Sequence, residues 1–550
     1  MTDRHDPDLT RRPDLSARLD RYALPVLLAV AAVLRLVDLA TRGTWEADQS
    51  RDMLILRTLV RDGVVPVVGP PSSIGDVHHG PWYYYLLSPG AAVTGGDSPV
   101  TVVVLIALAG ILAVATVWWM ARGMGGPVAG AVAGLAAAVS TAAIQGSTFI
   151  WNPNLIALAS SIALAGTWRA WAGGDRRWWL LAALGVALTM QFHLLGVALL
   201  PIVAVPYILD ARRRRLGWVD LGVLSVFAVA YLPLLINELT TGGSELRAAV
   251  EYLATGGRGS ETAAIPVVFG IVGLRVLSWP VTGLITDGFV AGVVASAAVI
   301  AIAVWRSFAN GPDRLAARWL GLGLLWSMAF LTLTAPSLAT VVPGLPTDHY
   351  HAFADPMVFA LLGLGAGALA SGPARTDGWS SRRLVDPTLA GVGVVALLGW
   401  NLTHLPPAVH PDGGFPAGEA AAARVDAVLS TAGVERLDVI RLQSLPEFKS
   451  TEAMVYPLAR IGRLYVGDAP QGVAPGSLDP TEVSSHGGFD GLVLLCDDRF
   501  REAIGAACGG PAEGIVTPDG GGSTWGPLLD RFQAAPDRYV SVYGPPGNPG

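Results

Sequence analysis

Long apolar runs, separated by short polar stretches that often carry arginine, repeat from the start of the chain to about residue 405. A helix needs ~18 to 20 apolar residues to cross ~30 Å of hydrocarbon, and several runs reach that length. The pattern predicts spanning helices near Tyr22 to Ala40, Val100 to Met120, Pro127 to Gln145, Leu155 to Ala170, Trp178 to Gln191 and Leu194 to Leu209. Five more are expected near Trp218 to Ile236, Phe289 to Trp305, Trp319 to Thr334, Pro356 to Leu369 and Leu389 to Trp400. The first run lacks a small-residue cleavage pattern, so it is expected to remain as the first spanning helix.

Basic residues test this count, because arginine gathers in cytoplasmic loops. Arg11, Arg12, Arg18 and Arg21 precede the first run; Arg122, the Arg169/Arg176/Arg177 group, Arg212 to Arg215, Arg306/Arg314/Arg318 and Arg375/Arg382/Arg383 follow in alternate loops. About eleven crossings put them all inside. Ile265 to Ile285 is apolar enough to span but carries Arg275 and Trp279-Pro280. Counting it as a crossing would move the later arginines outside, so it is read as an interfacial or re-entrant piece of an outer loop. The expected organisation is a cytoplasmic tail (residues 1–21), a membrane domain (22–404) with long outer loops at 41–88 and 239–287, and an extracytoplasmic domain (405–550).

Beyond residue 405 the periodicity changes. An Ala-rich helix (Gly418 to Thr431), a strand (Leu437 to Leu442), a helix (Thr451 to Ile461), a strand (Gly491 to Leu495) and a helix (Asp497 to Ala507) read as a small α/β domain, with Gly/Pro-rich loops at Pro470 to Pro480 and Val516 to Ser523. Its two cysteines, Cys496 and Cys508, flank the last helix. They suit a disulfide in an oxidising compartment, or two buried thiols.

Composition agrees with a bilayer as solvent: 52% of the 550 residues are hydrophobic and 15% charged, with mean hydropathy +0.49, against about 25% charged in soluble domains. The net charge of −6 is modest and says little about partners; no nucleic-acid partner is expected. Lys449 is the only lysine, so a phosphate site in the membrane portion must use arginine, histidine, hydroxyls or backbone amides.

Polar clusters at a membrane face are where chemistry is expected. The first outer loop opens Trp45-Glu46-Ala47-Asp48-Gln49-Ser50-Arg51-Asp52, continues as an amphipathic helix, and closes with His78-His79-Gly80-Pro81-Trp82-Tyr83-Tyr84-Tyr85. Asp48 at the start of that helix is either a functional carboxylate or its N-cap. His78 and His79 are either phosphate contacts or polar neighbours of an aromatic belt.

This arrangement resembles the GT-C glycosyltransferases of the protein O-mannosyltransferase and aminoarabinose-transferase group. Asp48-Gln49-Ser50-Arg51-Asp52 is similar to that group's Asp-Glu-x-x-Tyr motif, and His79-Gly80-Pro81-Trp82-Tyr83-Tyr84 to its Lys/His-x-Pro-x-Tyr-Tyr segment. Trp151-Asn152-Pro153-Asn154 and Gln191-Phe192-His193 resemble features of bacterial members. Gln49 replaces a usual Glu and Asp52 a frequent Tyr, which leaves Asp48 as the strongest match and weakens the case for a paired-carboxylate metal site; a divalent metal stays open. The resemblance implies an all-α polytopic membrane enzyme that transfers a sugar from a polyprenyl-phosphate donor to a protein, glycolipid or polysaccharide acceptor on the outer face. It implies Asp48 as general base, Arg51, His78 and His79 at the donor phosphate, and Gln49, Asp52, Tyr83, Asn152, His193, His349 and His351 around the cavity. The alternative is a transporter or lipid flippase, against which stands the lack of a clear inverted repeat or a mid-helix acidic residue. A scaffold displaying the tail domain would leave the first loop's polar and aromatic residues without a role.

Overall fold

The computed structural model describes residues 15–72, 77–255, 263–283, 288–339, 348–371, 382–446, 451–466, 489–510, 512–513 and 525–545. The loops expected at Pro470 to Pro480 and Val516 to Ser523, and the basic residues Arg11, Arg12 and Arg375, lie outside them.

The chain is mainly helical. In order, the membrane portion runs through α1 (Leu15–Leu36), α2 (Ala47–Asp62), α3 (Trp82–Ala92), α4 (Pro99–Val139), α5 (Ile156–Trp171), α6 (Trp178–Phe192) and α7 (Leu199–Ala211). It continues with α8 (Trp218–Thr241), α9 (Ser244–Thr255), α10 (Ile265–Thr282), α11 (Phe289–Phe308), α12 (Arg314–Thr334), α13 (Asp355–Ser371) and α14 (Arg382–Thr403). Among the described residues seven helices are long and apolar enough to cross a membrane, and two shorter ones are apolar. The 41-residue α4 is two helices in effect, because Gly126 (φ 85°) and then Pro127 interrupt it. The protein is multi-pass, near the expected number of crossings.

Local chemistry explains the departures from the expected bounds. The helix expected to reach Gln145 stops at Val139, where Ser140 leaves helical geometry, accepts from Ala143 N (3.2 Å) and donates to Pro280 O (2.7 Å). Ile265–Thr282 is one continuous helix packed along α11, where Ser296 Oγ meets Leu274 O at 3.4 Å. It is long and apolar enough to cross.

Small residues bring the central helices together. A Cβ on Gly363 of α13 would lie 2.3 Å from Ala129 O of α4, so only glycine permits that approach. Peripheral helices do the opposite: α8 exposes Leu221, Leu224, Leu232, Leu235 and Leu239, an apolar face that lipid, and not water, can cover.

The tail domain carries α15 (Gly414–Thr431), β1 (Ile440–Leu445), α16 (Glu452–Arg460), β2 (Tyr465–Val466), β3 (Gly491–Asp497), β4 (Leu528–Ala535) and β5 (Arg538–Tyr543). Its sheet has the order β2-β1-β3-β5-β4, with β2, β1 and β3 parallel and the β4–β5 hairpin antiparallel. The helix expected over Asp497 to Ala507 is only a 3-10 turn (Asp498–Phe500) and one helical turn (Arg501–Ile504), ended by Gly505 at φ 80°. Cys496 and Cys508, on either side, are disulfide-bonded.

Candidate active site

The short ladder formed where the first loop returns to the membrane fixes His79. Gly69 N donates to His79 O (2.8 Å) and His79 N to Pro70 O (2.9 Å). Gly80 N then donates to Gln191 O (2.9 Å), and a Cβ on residue 80 would fall 1.6 Å from the Gln191 carboxamide oxygen. Glycine is therefore required there, and Pro81, which has no N–H to satisfy, leads into α3. The imidazole of His79 is buried, and burial pushes it down to about 4, so it is neutral at pH 7. Its Nδ1 has no hydrogen-bond partner among the described residues. His78 turns the other way: its Nδ1 meets Glu245 Oε1 at 2.8 Å and its N–H donates to Glu245 Oε2 at 2.7 Å.

Helix α2 supplies the carboxylates. Its N-cap is Glu46, which forms a reciprocal capping box with Gln49, so Asp48 does not cap the helix and its carboxylate is left for other partners. Asp48 Oδ1 accepts from Arg51 Nη2 (2.8 Å) and Oδ2 from Trp151 Nε1 (3.1 Å), while 44% of its side chain stays exposed. Gln49 is structural: its Oε1 accepts from Glu46 N and its Nε2 donates to Ile150 O, both 2.9 Å. Asp52, one turn on, is fully buried and accepts from Tyr83 OH and Tyr84 OH, each at 2.9 Å. Burial pushes its carboxyl up to about 6, against the opposing pull of Arg51.

Around these groups the aromatic rings form a continuous surface. Trp151 packs on His349 (centroids 4.3 Å), His349 on Tyr350 (4.4 Å) and His193 (5.3 Å), and His193 on His79 (5.1 Å). His193 ends α6 and caps the next turn, accepting from Leu195 N at 3.2 Å. Asn152 is committed to the backbone, donating to Phe192 O at 2.6 Å. His351 is buried below, 3.1 Å from Asp348 Oδ1, and Asp348 in turn pairs through both oxygens with Arg275 (2.8 and 2.9 Å). The sequence flagged Arg275 only as an obstacle to spanning, although an arginine in an apolar helix already demands a carboxylate partner.

Trp151 and His349 also line a cavity of about 130 Å³, whose other walls include Val114, Val117, Ala157 and Phe359. The cluster thus links an exposed carboxylate to a largely apolar hollow inside the bundle, whose lining also includes Arg35, Asp348 and Asp355. His349 Nδ1, like that of His79, has no partner among the described residues. Among the described residues no three His, Cys, Asp or Glu side chains are grouped to hold a metal ion.

Comparison with known proteins bears on this arrangement. Residues 78–236 match the family described as dolichyl-phosphate-mannose-protein mannosyltransferase. Apo ArnT from Cupriavidus metallidurans shares 18% identity, with 94% of this chain and 97% of that one covered at a TM-score of 0.51. The fold is that of the GT-C glycosyltransferases. A second GT-C structure, the archaeal oligosaccharyltransferase AglB from Archaeoglobus fulgidus in complex with an inhibitory peptide and a dolichol-phosphate, aligns at 14% identity and a TM-score of 0.50, with 87% of this chain and 69% of that one covered. No curated protein sequence matches. The family match starts at His78, so the GT-C resemblance of α2 and Asp48 rests on the fold and the motif.

Proposed function

We propose that the protein is a glycosyltransferase that moves a sugar from a polyprenyl-phosphate carrier to an acceptor hydroxyl at the extracytoplasmic membrane face, with Asp48 as general base. The observation that carries this reading is the position of the Asp48 carboxylate: exposed, uncommitted to capping, and joined through Trp151 to a largely apolar cavity. The dolichol-phosphate in the AglB complex and the family description supply the donor class.

The chemistry follows from the groups present. As the acceptor oxygen attacks the anomeric carbon, its proton passes to Asp48, and a positioned carboxylate of this kind contributes about 10²- to 10⁴-fold. The bond from that carbon to the phosphate oxygen breaks, and the lipid phosphate leaves with the electron pair. Charge on the departing phosphate needs fixed donors. His79 and His349 can turn Nδ1–H toward it, and Arg51, 2.8 Å from Asp48, adds a permanent positive charge. His78, held by Glu245, supports the loop beside His79. Attack from the face opposite the phosphate inverts the anomeric centre.

A carrier lipid that cannot leave the bilayer explains the membrane location. The N-terminus then lies in the cytoplasm and the tail domain outside, on the side of the first loop. Asp48→Asn tests the assignment: envelope glycans compared by mass spectrometry should lose one sugar in cells carrying the variant as the sole copy, with the protein present and folded. Unchanged glycans would remove the assignment.

A further inference from the structure

The tail domain does not merely sit near the membrane portion; it is bonded to the first turns of α2 on both sides of Asp48. Arg538 Nη2 of β5 meets Glu46 Oε1 at 2.5 Å. Trp45 Nε1 donates to Ala453 O (2.9 Å), and Tyr456 N to Ser50 Oγ (2.9 Å). Asp412 accepts from Trp45 N (3.0 Å) and Thr44 Oγ1 (2.5 Å). Trp45, Phe415 and Tyr456 form one aromatic cluster, with centroids 4.7 to 6.0 Å apart.

Resting on the transferase reading above, we infer that the tail domain clamps the N-terminus of α2, with Arg538 as a positioning residue that sets Asp48 through Glu46. The path is short. Arg538 fixes the Glu46 side chain; Glu46 and Gln49 hold each other in the capping box; Gln49 Nε2 holds Ile150 O; and the next residue, Trp151, donates to Asp48. Arg538 lies largely buried between Glu46, whose side chain stays 37% exposed, and Asp497 at 3.7 Å. Arg538 thereby reaches both the helix turn bearing the base and the indole that orients it, beside the contacts made through Trp45, Ser50 and Asp412.

The test uses the full chain in detergent or nanodiscs, with two readouts. Arg538→Gln should speed amide hydrogen exchange of residues 47–52 about tenfold, in line with the worth of a helix cap, while the amides of α6 exchange as before. Turnover should fall by a similar factor with little change in apparent KM, and Arg538→Lys should restore most of it. A second variant, Glu46→Gln, should reproduce the pattern. Unchanged exchange over 47–52 in both variants overturns the clamp, as does equal acceleration throughout the bundle, which would mean general destabilisation. The two readings fail separately. If Asp48→Asn leaves the glycans intact while Arg538→Gln still frees residues 47–52, transfer is lost as the function and the clamp stands.

Discussion

Asp48 and Asp348 are both paired with arginine, and the protein treats them in opposite ways. Asp348 is sealed: 4% of its side chain is exposed, both oxygens are taken by Arg275, and His351 adds a third contact. Asp48 is open, with one arginine, one indole and 44% exposure. A sealed pair fixes geometry because neither partner can leave without stranding a charge in a poorly solvated place. An open pair can exchange a partner for a proton, which a general base must do. If Asp48 is the base proposed above, incomplete enclosure rather than charge alone marks the reactive group.

The comparison breaks most easily at the sealed pair. Arg275→Ala should cost about 3–5 kcal/mol by leaving Asp348 unpaired, read as a large fall in the thermal unfolding temperature in detergent, whereas replacing both partners with apolar residues should recover much of it. A small shift for the single variant would mean that the pair is less enclosed than it looks. At the open pair the effects should separate: Asp48→Asn should lower transfer by about 10²- to 10⁴-fold and change stability by no more than about 1 kcal/mol, checked by assay and unfolding on the same preparation.

Asp52 lies between these extremes, buried but held by two phenols rather than an arginine fork. Its carboxyl is raised to about 6 in the folded protein, against about 3.9 unfolded. A raised value means that the protonated form is favoured by folding, so its contribution is full below pH 4 and is lost as pH rises through 6. Wild-type protein should gain up to about 3 kcal/mol from pH 8 to pH 4 from this group, and Asp52→Asn should flatten that part of the unfolding profile. The smallest effect is expected from Tyr84→Phe, which removes one of the two phenol donors to Asp52 at a cost of about 1.5–3 kcal/mol, with most of Asp52's pH dependence kept.

The membrane fold was legible because lipid imposes it: apolar runs of fixed length leave little choice. Asp48, His79 and the tyrosines could be found because a loop motif gathers them locally, and the cysteines because a short span joins them. What escaped were facts set by distant partners. Glu46 is a poor N-cap by preference, yet it caps because Gln49 and Arg538 both reach it. His78 and His79 are neighbours, but Glu245, from the first turn of α9, is bonded to the first. The helix drawn over Asp497 to Ala507 failed for a local reason, since Gly505 takes a left-handed conformation after a single turn. The β4–β5 hairpin, closed by Asp537 at φ 62°, follows a stretch with no clear alternation of its own.

The ion pair between Glu46 and Arg538 joins residues 492 positions apart. During synthesis the helix bearing the carboxylate leaves the ribosome long before the strand that contacts it. On the clamp proposed above, a nascent chain has its membrane helices in place well before the contact between Glu46 and Arg538 can form, and a chain interrupted between the two would insert without it.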